Sequence, residues 1–123
     1  MAYEKIPNEF THAQNAGADL SAKLHYFAHV DTDGDIVLAG DGEHVLGVIT
    51  EAAVENSPVT VQFGGIGKVV AGATIVAGER IASDSAGKAV PAAVGDFEVG
   101  TALTSADADD LFSFVFLPGR RHA

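Results

Sequence analysis

At 123 residues the chain has room for one conventional core, and 47% hydrophobic against 20% charged residues argues against wholesale disorder. Seven Lys and Arg face 17 Asp and Glu, a formal net charge of -10; such a surface repels phosphate backbones, so nucleic acid is not an expected partner. No cysteine is present, which excludes disulfides, thiolate nucleophiles and Cys-based metal centres and leaves the fold to packing, alone or with oligomerisation.

Met1-Ala-Tyr-Glu-Lys-Ile-Pro7 has neither the basic start nor the apolar run of a signal peptide. The most apolar windows, such as Val69 to Ala77, are short and broken by glycine, so a soluble protein with no membrane partner is expected. Residues 1–18 sustain neither helical nor strand periodicity. They read as an extended N-terminal arm that orders against a partner, with Tyr3, Ile6 and Phe10 as its anchor side chains. Residues 19–123 form the β-rich domain.

From Asp19 the pattern alternates: Leu20, Ala22, Leu24, Tyr26, Ala28 and Val30 share one face, and Ser21, Lys23, His25, Phe27 and His29 the other. Period two predicts a half-buried strand. Asp31-Thr-Asp-Gly-Asp35 supplies a turn, Ile36 to Ala39 a short strand, Gly40-Asp-Gly42 a second turn and His44 to Thr50 a third apolar stretch. Val59 to Phe63 follows, then a Gly64-Gly-Ile-Gly67 bend and Lys68 to Ala71; Ala73 to Ser83, interrupted by Gly78, stays unassigned. Asp84-Ser-Ala-Gly87 is a turn, and Lys88 to Ala92, Val99 to Thr104 and Leu111 to Leu117 are strands. In the last, Phe112, Phe114 and Phe116 share a face, and the opposite face is also largely apolar. That marks an interior strand, or one whose second face meets another subunit, with the three phenylalanines in core or oligomer packing. The fold class is all-β, a compact small β-barrel or β-sandwich.

Candidate chemistry is sparse. Asp31, Asp33 and Asp35 alternate as calcium ligands do, but the EF-hand glycine position holds Ile36 and its bidentate acid position holds Gly42. Gly64 to Lys68 resembles a phosphate loop, but Gln62 stands at the leading glycine and Val69 at the Ser or Thr. Val70 likewise stands where a dinucleotide fingerprint needs its third glycine. His25 and His29 are spaced for a metal pair without an evident third ligand, and no Gly-x-Ser-x-Gly elbow surrounds a serine. The expectation is no catalytic residue, no metal and no cofactor: not an enzyme.

Five runs taken in order carry a family resemblance: Gly34-Asp-Ile-Val37; Val45-Leu-Gly-Val-Ile49; Val59-Thr-Val-Gln-Phe63; Ala77-Gly-Glu-Arg-Ile-Ala-Ser-Asp84 with Gly87-Lys-Ala-Val90; and Val99-Gly-Thr-Ala-Leu103. The chain from Asp19 to Leu117 resembles the bacteriophage capsid decoration (cement) proteins, in which a Gly-Val strand, an Ala-Gly-Asp/Glu-x-Val/Ile step, an Asp-x-x-Gly turn and a Val/Ile-Gly-x-Ala-Leu strand recur. The resemblance implies a phage head protein, made in the host cytoplasm, that binds the major capsid protein on the outer surface of the virion and stabilises the shell. It also implies self-association, commonly as a homotrimer, and points to residues 2–17 as the capsid-binding segment. The alternative reading is a non-catalytic ligand-binding β module for carbohydrate or a divalent cation, using the loops from Asp31 to Asp41.

Overall fold

The computed structural model describes residues 10–119 and 121–122. Among them are ten strands: β1 (Thr11–Asn15), β2 (Phe27–Val30), β3 (Ile36–Leu38), β4 (Gly47–Glu51), β5 (Pro58–Gln62), β6 (Ile66–Val70), β7 (Arg80–Ser83), β8 (Ala89–Pro91), β9 (Gly100–Ala102) and β10 (Leu111–Phe116). They form two five-stranded antiparallel sheets, ordered β1-β5-β4-β2-β3 and β6-β10-β9-β7-β8. The fold is all-β and sandwich-like; it is not a closed barrel.

The second sheet's order is the first's with each strand advanced by five, and the correspondence extends to single residues. Asp31, Gly34, Gly42, Gly47, Val59 and Val61 recur 53 positions later as Asp84, Gly87, Gly95, Gly100, Phe112 and Phe114. After each first strand, Ala16 bridges Ile36 and Ala71 bridges Ala89, both in parallel. Leu20 donates its N–H to the Ala53 carbonyl as Ile75 does to Ala106, and Ala16 to Ser57 as Ala71 does to Asp110. Even the left-handed backbone positions match: His25 at φ 67° with Gly78 at 94°, and Asn56 at 64° with Asp109 at 71°. The chain is therefore a tandem pair of one β unit. The first copy is two residues longer between Leu20 and His25, which are five positions apart where Ile75 and Gly78 are three apart.

Each unit has its own apolar cluster, built at equivalent places. Ala16, Leu20, Ala28, Ile36, Ile49, Val59 and Val61 form the first; Ala71, Ile75, Ile81, Ala89, Ala102, Phe112 and Phe114 stand at the same places in the second. Alternation along β5 and β10 explains the inward residues, because side chains two apart share a face. Gly47 and Gly100 permit the close crossing at β4 and β9, where a Cβ would run into the carbonyls of Gln62 and Val115 respectively.

Three first-unit residues, Phe27, Ala39 and Val48, are buried in the second unit's cluster. The Phe27 ring meets Phe114 edge-to-face, with centroids 5.7 Å apart and planes at 88°. Backbone bonds accompany this contact: Phe27 N–H to the Gly87 carbonyl at 2.6 Å, Val70 to His25 at 3.0 Å, and Gly42 to Ser83 at 2.9 Å. One sheet thus serves two cores. Phe27 and Ala28, neighbours on β2, are both fully buried, one in each cluster.

This explains where the alternation misled. The strand expected from Leu20 to Val30 occupies Phe27–Val30 alone, and the preceding residues turn, Lys23 donating to Leu20 and Tyr26 to Lys23. Leu24 and Val30, expected inward, are 45% and 40% exposed, whereas Phe27, expected outward, is fully buried. The expected arm also differs, since Thr11–Asn15 pair with β5 from Thr11↔Gln62 to Asn15↔Pro58. Thr11–Asn15 of it is sheet, and Gln14 and Asn15 find polar partners on the Asp31 hairpin, the Gly34 carbonyl and the Asp35 carboxylate. Ile66 and Gly67, expected in a bend, begin β6, and the unassigned stretch contains β7.

Replacing Phe27 with Ala is expected to lower stability by about 3 kcal/mol or more, the usual cost of truncating a fully buried phenylalanine. Urea unfolding followed by circular dichroism checks this, with one transition expected for wild type because the two units share the contact.

Candidate interaction surface

Of the arm residues, Tyr3 and Ile6 lie outside the described residues. Phe10 sits on the body: its ring meets Phe63 edge-to-face at 6.1 Å and 86°, its carbonyl accepts the Phe63 N–H at 2.8 Å, and it packs over Gly64, where a Cβ would clash with the ring. At 38% exposure it fixes where the N-terminal segment joins the sheet. Phe112, Phe114 and Phe116 face inward at 3%, 0% and 8% exposure and pack in the second cluster, so none of them presents a free ring to a partner.

The residues weighed for chemistry go to structural uses. Asp31 Oδ1 accepts the N–H groups of Asp33 and Asp35 at 2.9 and 3.0 Å, closing the β2–β3 hairpin. Asp84 does the same for Ala86 and Lys88 in the β7–β8 hairpin. His25 is held in left-handed backbone with its Nδ1 buried and unpartnered, while His29 lies 3.9 Å from Glu43. Among the described residues, no three His, Asp or Glu side chains converge as a metal site would require.

Two surface features were not legible in advance. One is a charged knot beside the C-terminal residues. Arg80 bonds Glu98 through Nε at 3.1 Å and Thr101 Oγ1 at 2.9 Å, and His122 Nδ1 lies 2.5 Å from Glu98 Oε2. The His122 bond above all, with help from Arg80, holds the Glu98 carboxyl below the usual carboxylate range against the opposing desolvation. Arg121 lies over the Phe97 ring at 4.5 Å, and Phe97 stacks on His44 at 3.5 Å. The residues are distant in sequence, so no local motif announces them. The other is the outward face of β6, β10 and the end of β9. Leu111 pairs with Val70, Ser113 with Lys68 and Val115 with both Ile66 and Thr101. Ile66, Leu103, Leu111 and Leu117 are 65%, 45%, 49% and 53% exposed. The apolar second face of β10 was visible in the sequence; its neighbours on β6 and β9 needed the register.

With this geometry in place, the comparisons can be stated. A family model described as "Phage cement protein" matches residues 27–117. A search of curated proteins finds no match. Among solved structures, the chain is similar to the head fiber gp8.5 N base of bacteriophage phi29, with a TM-score of 0.71 and 18% identity, covering 92% of this chain and 98% of that one. That likeness is one of fold.

His25 gives a pH prediction. Desolvation by burial, with Lys68 nearby, lowers its pKa below the ordinary histidine value. The unfolded chain takes up this proton near pH 6.5 while the native state still resists it, so native stability falls as pH drops below about 6.5 toward His25's lower native value. Urea midpoints at pH 7.5 and 5.5 should differ less in His25→Gly than in wild type, glycine being the residue at the equivalent position 78.

Proposed function

Because the chain belongs to the phage cement protein family, as its match over residues 27–117 establishes, it is a phage head component, and we propose that it decorates the outer surface of the capsid, binds the major capsid protein as a homotrimer and stabilises the shell without catalysing a reaction. The family match carries this reading. The described structure supports it, since Asp31 and Asp84 are engaged in turns, His29 lies beside Glu43, and among the described residues no three His, Asp or Glu side chains converge. The likeness to a phage head fiber base is consistent with a rigid β body that stands on a head.

Each contact to the shell can be weak, because several copies held together engage it at once and gain from effective concentration. The N-terminal segment is the proposed capsid contact. Phe10 packs on the sheet beside Phe63 and Gly64, next to the β5–β6 connection.

The test is co-sedimentation with purified expanded shells. The full chain should bind saturably and raise the temperature at which the shells come apart. A variant lacking residues 2–9, which keeps β1, should lose binding by at least about tenfold with its own unfolding midpoint unchanged. Failure of the full chain to bind defeats the proposal; undiminished binding by the shortened chain defeats the role given to Tyr3 and Ile6.

A further inference from the structure

We infer that the apolar stripe formed by exposed Ile66, Leu103, Leu111 and Leu117 with half-buried Val115, and with Lys68 among them, is where this chain packs against a second copy of itself. The inference rests on the reading of the protein as a homo-oligomer and assigns its contact surface.

Three observations lead there. The tandem repeat supplies an internal control, because the same backbone positions occur in the first unit with different side chains. Thr11, Thr50 and Gln62 stand where Ile66, Leu103 and Val115 stand in the second. The β unit therefore folds with polar residues on this face, and the apolar ones in the second copy answer no need of its own core, which lies on the opposite side of β10. Second, the stripe is continuous across strands, since Val115 pairs directly with Ile66 and the Leu103 N–H bonds the Ser113 carbonyl. Contiguous exposed apolar surface of this kind marks an association site.

Third, charge selects the occupant. The chain carries -10 overall, so two copies repel each other over most of their surface. The stripe is the exception: its one charged side chain is Lys68, and Glu98 of the charged knot is ion-paired with Arg80. Two like-charged copies approach with least repulsion on a face whose own charged side chain is a lysine.

The experiment is sedimentation equilibrium of the full chain beside a triple variant, Ile66→Thr with Leu103→Thr and Val115→Gln, which copies the first unit's residues. Wild type should exceed the monomer mass, more so as salt is raised and like-charge repulsion is screened. The triple variant should associate at least about tenfold more weakly with an unchanged circular dichroism spectrum. Val94→Ser, at the most exposed large apolar side chain among the described residues, should leave the mass unaltered. Should the triple variant unfold, Leu111→Arg alone carries the test, with the same loss of association expected. A monomeric wild type, or variants that stay oligomeric, overturns the inference. Variants that remain oligomeric yet lose shell binding would instead make the stripe a capsid contact. Shell binding by wild type, measured separately, tests the decoration role itself, so the two can fail independently.

Discussion

The burial of Phe27 in the neighbouring unit's core is the contact on which the rest of this structure depends. A β unit of about half this chain's length buries a small share of its surface and is marginal on its own. Each of the two clusters is built largely of alanine, valine and isoleucine, with the second enlarged by Phe112, Phe114 and Phe116. Phe27 reaches from the first sheet to Phe114, and the backbone on either side of it is tied to the same unit through Gly87 and Val70. The result is one body in which β2 contributes to two cores at once.

The repeat also shows how the two units differ at the joint. At the place of Phe27, Val45 and Val48 the second unit has Arg80, Glu98 and Thr101, and these three are joined in a hydrogen-bonded group closed by His122. The apolar docking face of the first unit is a hydrogen-bonded polar group in the second. The apolar surface of the second unit lies instead on its outer wall, along β6 and β10. The two units share a backbone and divide the work: one supplies the internal joint, the other the outward-facing contact.

Much of the fold could be read from the sequence, and the failures have physical causes. Short strands punctuated by Asp-x-x-Gly turns and glycine steps were legible because those residues are demanded locally, by turn hydrogen bonds and close crossings. The repeat was not: Val59 matches Phe112, Phe27 matches Arg80 and His25 matches Gly78, so the copies share geometry while differing in chemistry at the most conspicuous residues. The stretch from Leu20 to Tyr26 looked like a strand because alternation records only which residues are apolar, not whether a neighbouring strand is there to pair. Of the candidate site residues, the phenylalanines of β10 pack in the second cluster, while the apolar stripe depends on the β6–β10 register and could not be assembled from a linear pattern.

The central structural claim is that the two units are one cooperative body. Native-state hydrogen exchange measures it most directly, by comparing the amides of β5 with those of β10. The account predicts that the slowest-exchanging amides in both strands open with the same free energy and the same urea dependence, as parts of a single global unfolding. If β5 amides exchanged through a separate, lower-energy opening while β10 stayed protected, the shared core at Phe27 would not be what holds the molecule together.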